Sequence, residues 1–475
     1  MLLEYVNDRR LAQASYFVGC QTTGRAIVID PTRDIAPYLA LAKRHSMRIV
    51  AAAETHIQAD FISGARELAA RQGARLNLSA EGGPEWAYAY AADYDHQLLR
   101  DNDVFEVGTL RLQALHMPGH TPEHLSFLLT DTQTAERPMG LFSGDFVFVA
   151  DVGRPDLLEL AAGESGAAAA GARQLFASLD RFRRLPDYLQ LWPGHGAGSA
   201  CGQAIGAVPS STVGYEKLFN WALQERDEAA LTRRLLASQP EPPRYFGVMK
   251  RLNRQGPPLW RREARPALLA FDRLAQVLAA GLAVVDARPH ATFAAGHIPG
   301  AINIPHTGSF VTWAGWLLDY DRPFYLLIAE ERLAAAAADL AAIGLDNCAG
   351  YWDAPALAAW QAAGLELERT PQIAAEDVAP RIASGEVALL DVRSRAEWAA
   401  GHVPGAGHIM LGYLPQRAAE LARDRPLAVH CESGYRSAIG VSLLQAQGFS
   451  QVMRLAGGLE AWQAAGLPVE GAAGD

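Results

Sequence analysis

The sequence predicts an α/β protein of three domains, the last two of which are copies of one parallel-sheet domain. Residues 284–301 (VVDARPHATFAAGHIPGA) return as residues 389–406 (LLDVRSRAEWAAGHVPGA), and WQAAGL closes both copies. A repeat of about a hundred residues indicates a duplicated domain, because solenoid repeats run about 20 to 50 residues. The 475-residue chain then leaves room for one larger domain ahead of the copies.

The part of the chain that precedes the copies follows a different pattern. Apolar strands such as RAIVID at 25–30 and RIVAAAETH at 48–56 run into polar turns that contain histidine, and a helix is predicted over 62–73. Strands that alternate with helices indicate sheets whose faces are covered by helices. We therefore expect the site of this domain at its strand ends, where the histidines lie.

Each C-terminal copy is predicted to contain a short apolar strand, a polar turn, a second apolar strand and a helix. The second strands are FYLLIA at 324–329 and LAVHC at 427–431. This alternation predicts a parallel sheet, and open parallel sheets place their ligands at the carboxyl ends of the strands. Cys431 is therefore expected at a ligand-binding edge.

Two proline-containing segments predict the linkers between the domains. Paired prolines interrupt helical patterning in RQGPPLW at 254–260, and ERTPQ at 368–372 contains the second break. The expected domains are residues 1–260, 261–368 and 369–475.

Composition limits the classes of function. Half of the residues are apolar, a fifth are charged and the net charge is −10, so we expect a compact protein without a nucleic-acid partner. No leader and no apolar window of about 18 residues is found, which predicts a cytoplasmic protein that does not enter the membrane. The four cysteines are spaced too widely for a zinc knuckle or a disulfide scaffold, and are expected as reduced thiols: Cys20 (expected to be structural), Cys201, Cys348 and Cys431.

The loop CESGYR, residues 431–436, is the clearest candidate for chemistry. Cys431 opens the loop, Gly434 allows a tight turn, and a helix follows. A helix N-terminus and the nearby Arg436 both favour a thiolate over a thiol, so Cys431 is expected to be nucleophilic. The alternative is a buried structural cysteine at the end of a core strand.

The DVR segment, the GHVPGA segment, the CxxxxR loop and the terminal GGLEAW resemble the rhodanese family. The resemblance implies a sulfurtransferase domain in which Cys431 carries a persulfide, cradled by Arg436 and the backbone amides of the loop. A six-residue loop favours sulfur over the larger phosphate of the related phosphatases. The loop residues between the two are Glu432, Ser433, Gly434 and Tyr435.

The first copy departs from this pattern at the loop. Ile328 stands opposite Cys431, and no arginine stands opposite Arg436. The middle domain is therefore expected to be an inactive rhodanese-like module that serves as a spacer or docking surface, with Cys348 leaving room for another role.

Four side chains of the N-terminal domain are expected to point into one cavity, because each lies in a tight turn after an apolar strand: His56, His120, Asp145 and His195. As a set they resemble the metallo-β-lactamase fold, which implies an αββα sandwich. The motifs GHTPEH, SGD, ADVGRPDL and GHGAGSACG resemble, more narrowly, its persulfide dioxygenase branch.

The chain departs from the HxHxDH signature of the fold. In THIQADF, Gln58 and Phe61 replace two histidines, which weakens a dinuclear zinc site. The resemblance to persulfide dioxygenases implies instead one ferrous ion per chain, bound by His56, His120 and Asp145, with zinc as an alternative or adventitious metal. Two histidines and one carboxylate leave up to three positions open, which suits non-haem iron and oxygen.

Five further residues are expected near the metal: Asp60, Thr121, Arg154, His195 and Cys201. Thr121 is expected to hydrogen-bond a ligand or bound oxygen, and by resemblance Arg154 supports the site or the carboxylates of the substrate. His195 is expected to handle protons, and Cys201 to accept or relay a persulfide. The alternative for these residues is a structural one, in which the polar groups bond only to the backbone and Cys201 packs as a small apolar residue.

The resemblance as a whole implies a persulfide dioxygenase fused to a sulfurtransferase, which acts in sulfide detoxification. Its expected partners are a low-molecular-weight thiol persulfide, O₂, sulfite and thiosulfate, and family members commonly form homo-oligomers, here a dimer or tetramer. Two alternatives stay open: a zinc thioester hydrolase of the glyoxalase type, and a non-oxidative sulfur carrier that uses only Cys431. The sequence leaves open which thiol carries the sulfur and in which direction the transfer runs.

Overall fold

The computed structural model describes residues 1–156, 167–202, 205–237, 241–261 and 265–471. Leu157, the last residue of the ADVGRPDL motif, lies outside them. The chain divides into two compact units, Met1–Arg261 with Ala341–Gly344, and Arg262–Leu340 with Leu345–Asp475.

Two mixed sheets form the centre of the first unit, with strand orders β1-β2-β3-β4-β5-β6 and β12-β11-β10-β9-β8-β7. Their strands are β1 (Leu2–Asp8), β2 (Gln13–Cys20), β3 (Arg25–Ile29), β4 (Arg48–Ala53), β5 (Arg75–Ser79), β6 (His96–Leu99), β7 (Val104–Val107), β8 (Leu110–His116), β9 (Leu125–Asp131), β10 (Gly140–Gly144), β11 (Gln190–Pro193) and β12 (Ser211–Thr212). The run QASYFVGC of β2 is buried at every position, as expected for a strand covered on both faces.

Helices cover the outer faces of both sheets. They are α1 (Ala36–Arg44), α2 (Ala65–Gln72), α3 (Ala167–Arg183), α4 (Val213–Phe219), α5 (Trp221–Gln224), α6 (Glu228–Ala237) and α7 (Phe246–Gln255). One apolar cluster joins the two sheets, a second packs α1 and α2 on the first sheet, and a third packs α3 to α6 on the other. The predicted αββα sandwich is confirmed.

The second unit contains two smaller sheets in which every strand pair is parallel. The first, of order β14-β13-β15-β16, consists of β13 (Ala283–Asp286), β14 (Ile302–Asn303), β15 (Phe324–Leu327) and β16 (Cys348–Trp352). The second, of order β17-β21-β20-β18-β19, consists of β17 (Gln372–Ile373), β18 (Ala388–Asp391), β19 (Gly407–His408), β20 (Leu427–His430) and β21 (Val452–Leu455). The prediction of two parallel α/β domains is confirmed.

The helices of this unit follow its strands in alternation. They are α8 (Asp272–Ala279), α9 (His290–Ala295), α10 (Phe310–Leu317), α11 (Glu330–Ala342), α12 (Pro355–Ala362), α13 (Ala375–Ala383), α14 (Arg395–Ala400), α15 (Leu414–Arg417), α16 (Tyr435–Ala446) and α17 (Gly458–Ala464). In the described parts of the chain, no helix combines the length and the apolar character that crossing a membrane requires.

The repeated motif forms the same contact in both copies. In the first, Asp286 at the end of β13 accepts hydrogen bonds from the guanidinium of Arg288 at 2.9 and 3.0 Å. In the second, Asp391 at the end of β18 accepts them from Arg393 at 3.1, 2.9 and 2.7 Å. Both carboxylates are fully buried, so the pair fixes the turn between strand and helix.

A candidate metal centre and a candidate sulfur-transfer loop

Three strand ends of the first unit bring together His56, His120 and Asp145. They follow β4, β8 and β10, and each is 1% exposed. One donor atom from each residue lies within 4.8 Å of the others. Asp145 Oδ2 is 3.6 Å from His120 Nε2 and 3.9 Å from His56 Nε2. These separations allow one ion to reach all three atoms, because nitrogen and oxygen ligands bind such metals at about 2.0–2.2 Å.

The surrounding hydrogen bonds present the Nε2 atoms as ligands. His120 Nδ1 donates to the carbonyl of Arg154 at 2.9 Å. His56 Nδ1 lies 2.9 Å from the hydroxyl of Thr55, which itself donates to Asp30 at 2.8 Å. Each Nδ1 therefore carries the proton, and each Nε2 carries a free lone pair. His120 Nε2 and Asp145 Oδ2 are buried without a hydrogen-bond partner, which fits a metal at this point.

The charge states of these residues also suit a metal. Burial lowers the pKa of His56 to about 3 and lowers that of His120. Burial opposes ionisation of Asp145, but the charge of His195 outweighs it and lowers the pKa of this carboxyl. Neutral imidazoles and a carboxylate are the forms that bind metal.

His195 lies between two carboxylates. Its Nδ1 is 2.8 Å from Asp145 Oδ1, and its Nε2 is 2.7 Å from Asp60 Oδ2. Burial disfavours the imidazolium, but attraction by Asp145 and Asp60 prevails and raises the pKa of His195 well above its ordinary value. The ring therefore donates from both nitrogens and orients Asp145 toward the other two ligands.

Cys201 lies in a second group of possible ligands, with Asp60 and His195. It is buried, and burial together with the charges of Asp60 and Asp145 raises its pKa well above the ordinary value. This environment favours the thiol over the thiolate that a persulfide relay needs.

Arg154 and Thr121 flank His120. Arg154 is fully buried, and its guanidinium donates to Asp156 at 2.8 and 2.7 Å and to the carbonyl of Ala200 at 3.3 Å. Together with the bond from His120 to its own carbonyl, this places Arg154 in support of the site. Thr121 is buried next to His120 in the chain.

Asn253 of α7 fixes the loop that carries His56, although no sequence motif marks this residue. Its Nδ2 donates to the carbonyls of Gln58 and Phe61 at 2.8 and 2.7 Å, and its Oδ1 accepts from the amide of Ser63 at 2.9 Å. A buried asparagine on the apolar face of an amphipathic helix is the only signal that could have identified it.

His124 is a second residue that we did not assign, although it closes the GHTPEH motif. Its Nε2 accepts a hydrogen bond from the amide of Asp145 at 3.1 Å. It therefore positions the backbone of a candidate metal ligand, and its Nε2 is already occupied by this bond.

The second candidate site is the loop that follows β20. The amide of Gly434 donates to Cys431 Sγ at 3.2 Å, and Sγ is 3.7 Å from the hydroxyl of Ser437. Gly434 has a φ of +104°, a conformation that favours glycine, and it directly precedes α16. Cys431 is fully buried at the floor of this loop.

Arg436 makes a different contact from the one expected. Its two terminal nitrogens donate to Glu397 at 2.7 and 2.6 Å instead of to the sulfur. Glu397 also caps α14 through Ser394. Burial would raise the pKa of Glu397, but its bonds to Arg436 and Ser394 prevail and lower that pKa to about 2. The hydrogen bond observed to the sulfur comes from the backbone of Gly434.

The other side chains of the loop, those of Glu432, Ser433 and Tyr435, contact neighbouring residues or are exposed. Glu432 accepts from Arg393 at 2.9 Å, and Ser433 is exposed. The hydroxyl of Tyr435 is 3.1 Å from that of Thr307 in the first copy, so the middle domain contacts the loop.

Comparison with known proteins agrees with this architecture. The sequence model of the metallo-β-lactamase superfamily matches residues 8–195. A metallo-β-lactamase structure from Staphylococcus aureus subsp. aureus COL is 42% identical, with a TM-score of 0.67, and the match covers 74% of this chain and 98% of that one. This chain belongs to the metallo-β-lactamase superfamily. The segment that matches the superfamily model lies within the first unit and contains the candidate metal centre.

The second unit contains two rhodanese-like domains, since the model of that domain matches residues 271–358 and 374–465. A sulfurtransferase from Allochromatium vinosum is 37% identical over 99 residues, which are 21% of this chain and 92% of that protein. A hydroxyacylglutathione hydrolase from Rhodopseudomonas palustris (strain ATCC BAA-98 / CGA009) is 29% identical over 180 residues, 38% of this chain and 61% of that protein. The chain thus combines a metallo-hydrolase fold with a sulfurtransferase fold.

Proposed function

We propose that this protein oxidises a low-molecular-weight thiol persulfide with O₂ to sulfite, and that Cys431 transfers a sulfane sulfur to sulfite to give thiosulfate. The observation that supports this most directly is the donor set of two neutral imidazoles and one carboxylate, with Phe61 in place of a further histidine. A three-ligand set leaves coordination positions for both reactants.

His56, His120 and Asp145 would hold one Fe(II), which when bound supplies a site where O₂ is activated beside a sulfur ligand. The residues around them orient the ligands and exclude water. Thr55, the carbonyl of Arg154 and His195 hold the three ligands in their orientation. Burial of the site excludes bulk water, which would otherwise compete with the substrate.

The first reaction balances as RSSH + O₂ + H₂O → RSH + SO₃²⁻ + 2H⁺. The outer sulfur is oxidised, O₂ is reduced, and the thiol leaves with one of the protons. His195, which donates to both Asp145 and Asp60, is the group placed to hold a proton next to the ligand set.

The second reaction takes place on Cys431. The persulfide on this residue gives its outer sulfur to sulfite, which yields thiosulfate and returns the cysteine as a thiolate. The amide of Gly434 and the N-terminus of α16 stabilise the negative charge on the sulfur. Sulfite formed by the first domain is thus the acceptor for the last.

The decisive experiment is anaerobic purification of the full chain, followed by metal analysis and oxygen uptake with glutathione persulfide on the same sample. We expect about one iron per chain and persulfide-dependent oxygen uptake. In His120→Ala, iron content and oxygen uptake should each fall at least about tenfold, because one of the three ligands is gone. Sulfur transfer by Cys431 should persist.

His96→Gln is the matched control, since it removes an imidazole of the same unit that bonds to the carbonyl of Tyr94 at 3.0 Å, away from the ligand set. Bound zinc with hydrolysis of a glutathione thioester would favour the hydrolase alternative. A protein without metal and without oxygen uptake, but with active Cys431, would favour the sulfur carrier.

A further inference from the structure

Arg454 on β21 carries a buried charge that the contacts described so far do not use. Its side chain is 9% exposed, its Nη1 donates to the carbonyl of Gly434 at 3.4 Å, and its Nε has no hydrogen-bond partner. A guanidinium has five N–H donors, and burying an unpaired charge is costly. An anion in the same pocket would offset that cost.

The neighbouring arginines are already paired. Arg393 donates to Asp391 and Glu432, and Arg436 donates to Glu397 with both terminal nitrogens. Within the described ranges, Arg454 forms no ion pair with a carboxylate. Of these three arginines at the loop, Arg454 is therefore the one whose charge is free to meet a ligand.

Gly434 connects Arg454 to the reactive sulfur. Its amide donates to Cys431 Sγ, and its carbonyl accepts from Arg454. Burial lowers the pKa of Arg454, while the charge of Cys431 acts in the opposite direction. A ligand on Arg454 would lie beside the atom that transfers sulfur.

The first copy shows that this arginine accompanies the cysteine rather than the fold. In strand register, Val429 of β20 pairs with Arg454, and the equivalent Leu326 of β15 pairs with Tyr351. The copy that lacks the cysteine therefore has Tyr351 at the position of Arg454, although both copies keep the buried Asp–Arg pair. A residue needed only for folding would be expected in both.

We propose that Arg454 binds the sulfur oxyanion that exchanges sulfur with Cys431, with sulfite as acceptor and thiosulfate as product. This assignment rests on the sulfur transfer proposed above. Sulfite sulfur attacks the outer persulfide sulfur, a new S–S bond forms, the Cys431 S–S bond breaks, and its electron pair stays on Cys431. Arg454 holds the oxyanion oxygens during this exchange, and no external oxidant or reductant is needed.

The test uses two acceptors that differ in charge. The full chain is loaded anaerobically with glutathione persulfide, desalted and mixed with either sulfite or the neutral thiol dithiothreitol. Arg454→Gln should lower the rate constant for sulfite by roughly tenfold to a hundredfold, the effect of losing a charged hydrogen bond. The rate with dithiothreitol should stay within about twofold, because this acceptor carries no charge for Arg454 to bind.

Two variants serve as controls. Arg417→Gln removes an exposed arginine of the same domain that pairs with Glu420, and should leave both rates unchanged. Arg454→Lys keeps the charge without the planar fork and should recover part of the sulfite rate. If the glutamine variant does not fold, the lysine variant should still slow sulfite selectively.

Equal slowing of both acceptors would show that Arg454 is structural and would overturn the assignment, as would an unchanged sulfite rate. A wild-type protein that forms no thiosulfate from sulfite would overturn the sulfur-transfer proposal itself.

Discussion

The two rhodanese-like domains share a scaffold and differ at the end of one strand. Both keep the buried pair of Asp286 with Arg288 or of Asp391 with Arg393. Both also stack the histidine of their glycine-histidine motif on an aromatic ring at 3.7 Å, His297 on Phe293 and His402 on Trp398. The motifs that reveal the duplication therefore correspond to contacts that stabilise the fold of both copies. Function must be sought where the copies differ.

The strand ends differ in charge as well as in the cysteine. In the first copy, Ile328 is followed by Glu330 and Glu331 in the first turn of α11. In the second, Cys431 is followed by the Gly434 turn and Arg436. Two carboxylates at a helix N-terminus disfavour an anion there, whereas the Gly434 amide, which donates to Cys431 Sγ at the start of α16, favours it.

The largest expected effect comes from Cys431→Ser. Thiosulfate formation from glutathione persulfide and sulfite should fall by about a thousandfold or more, because the covalent nucleophile is lost. Iron content and oxygen uptake should stay within about twofold. Loss of both activities in this variant would contradict the division of work between the two units.

Placing the cysteine in the other copy sharpens the same comparison. In the Cys431→Ser background, Ile328→Cys should not restore measurable transfer, since Glu330 and Glu331 oppose a thiolate and Tyr351 stands at the position of Arg454. Thiosulfate production by this double variant would show that the scaffold alone supports the reaction.

Breaking the shared Asp–Arg pair should give an intermediate effect in both copies. Asp391→Asn should destabilise its domain by about 3–5 kcal/mol, the cost of unpairing a buried charge. Asp286→Asn should cost less, because the Arg288 side chain is 18% exposed against 3% for Arg393. Hydrogen exchange of peptides from each domain in the full chain measures the destabilisation that each variant causes. Only Asp391→Asn should also slow sulfur transfer, because Arg393 holds Glu432 of the loop. Equal slowing by both variants would contradict the comparison.

The smallest expected effect is a dependence of domain stability on pH. We expect it at Glu397 of the second copy and not at the equivalent position of the first. The pKa of Glu397 is lowered from 4.5 to about 2 in the folded domain, so its stabilisation is complete above pH 4.5 and is lost as pH falls toward 2. The destabilisation caused by Glu397→Gln should therefore shrink between pH 5 and about 3. Thr292, at the equivalent position of the first copy, has no carboxylate, and Thr292→Ala should show no such change. Urea midpoints read from hydrogen exchange of each domain provide the measurement.

Sequence motifs predicted the fold class and identified most of the residues that line the two candidate sites. The repeat located both parallel domains, because its motifs encode turns that every such domain needs. His56, His120 and Asp145 could be named because each lies in a tight turn after an apolar strand and because the set resembles a known fold. They follow strands of both sheets, and the structure places their donor atoms together.

The residues that the sequence did not reveal act through contacts between distant segments. Asn253 bonds to a loop almost two hundred residues earlier in the chain, and Arg454 looks like any residue of a short strand. Glu397 could have been found, since Ser394 and Glu397 form the S-x-x-E pattern of a capping box. Its role as the partner of Arg436 depends on packing that no local pattern encodes.

The clamp formed by Asn253 shows that the support of the candidate metal centre extends beyond the segment that matches the superfamily model. The superfamily model matches only as far as residue 195, and a fragment cut there would keep His56, His120, Asp145 and His195. It would nevertheless lack α7, and with it the amide that holds the carbonyls of Gln58 and Phe61. The segment that matches the superfamily model is therefore shorter than the segment needed to hold the loop of His56 in place.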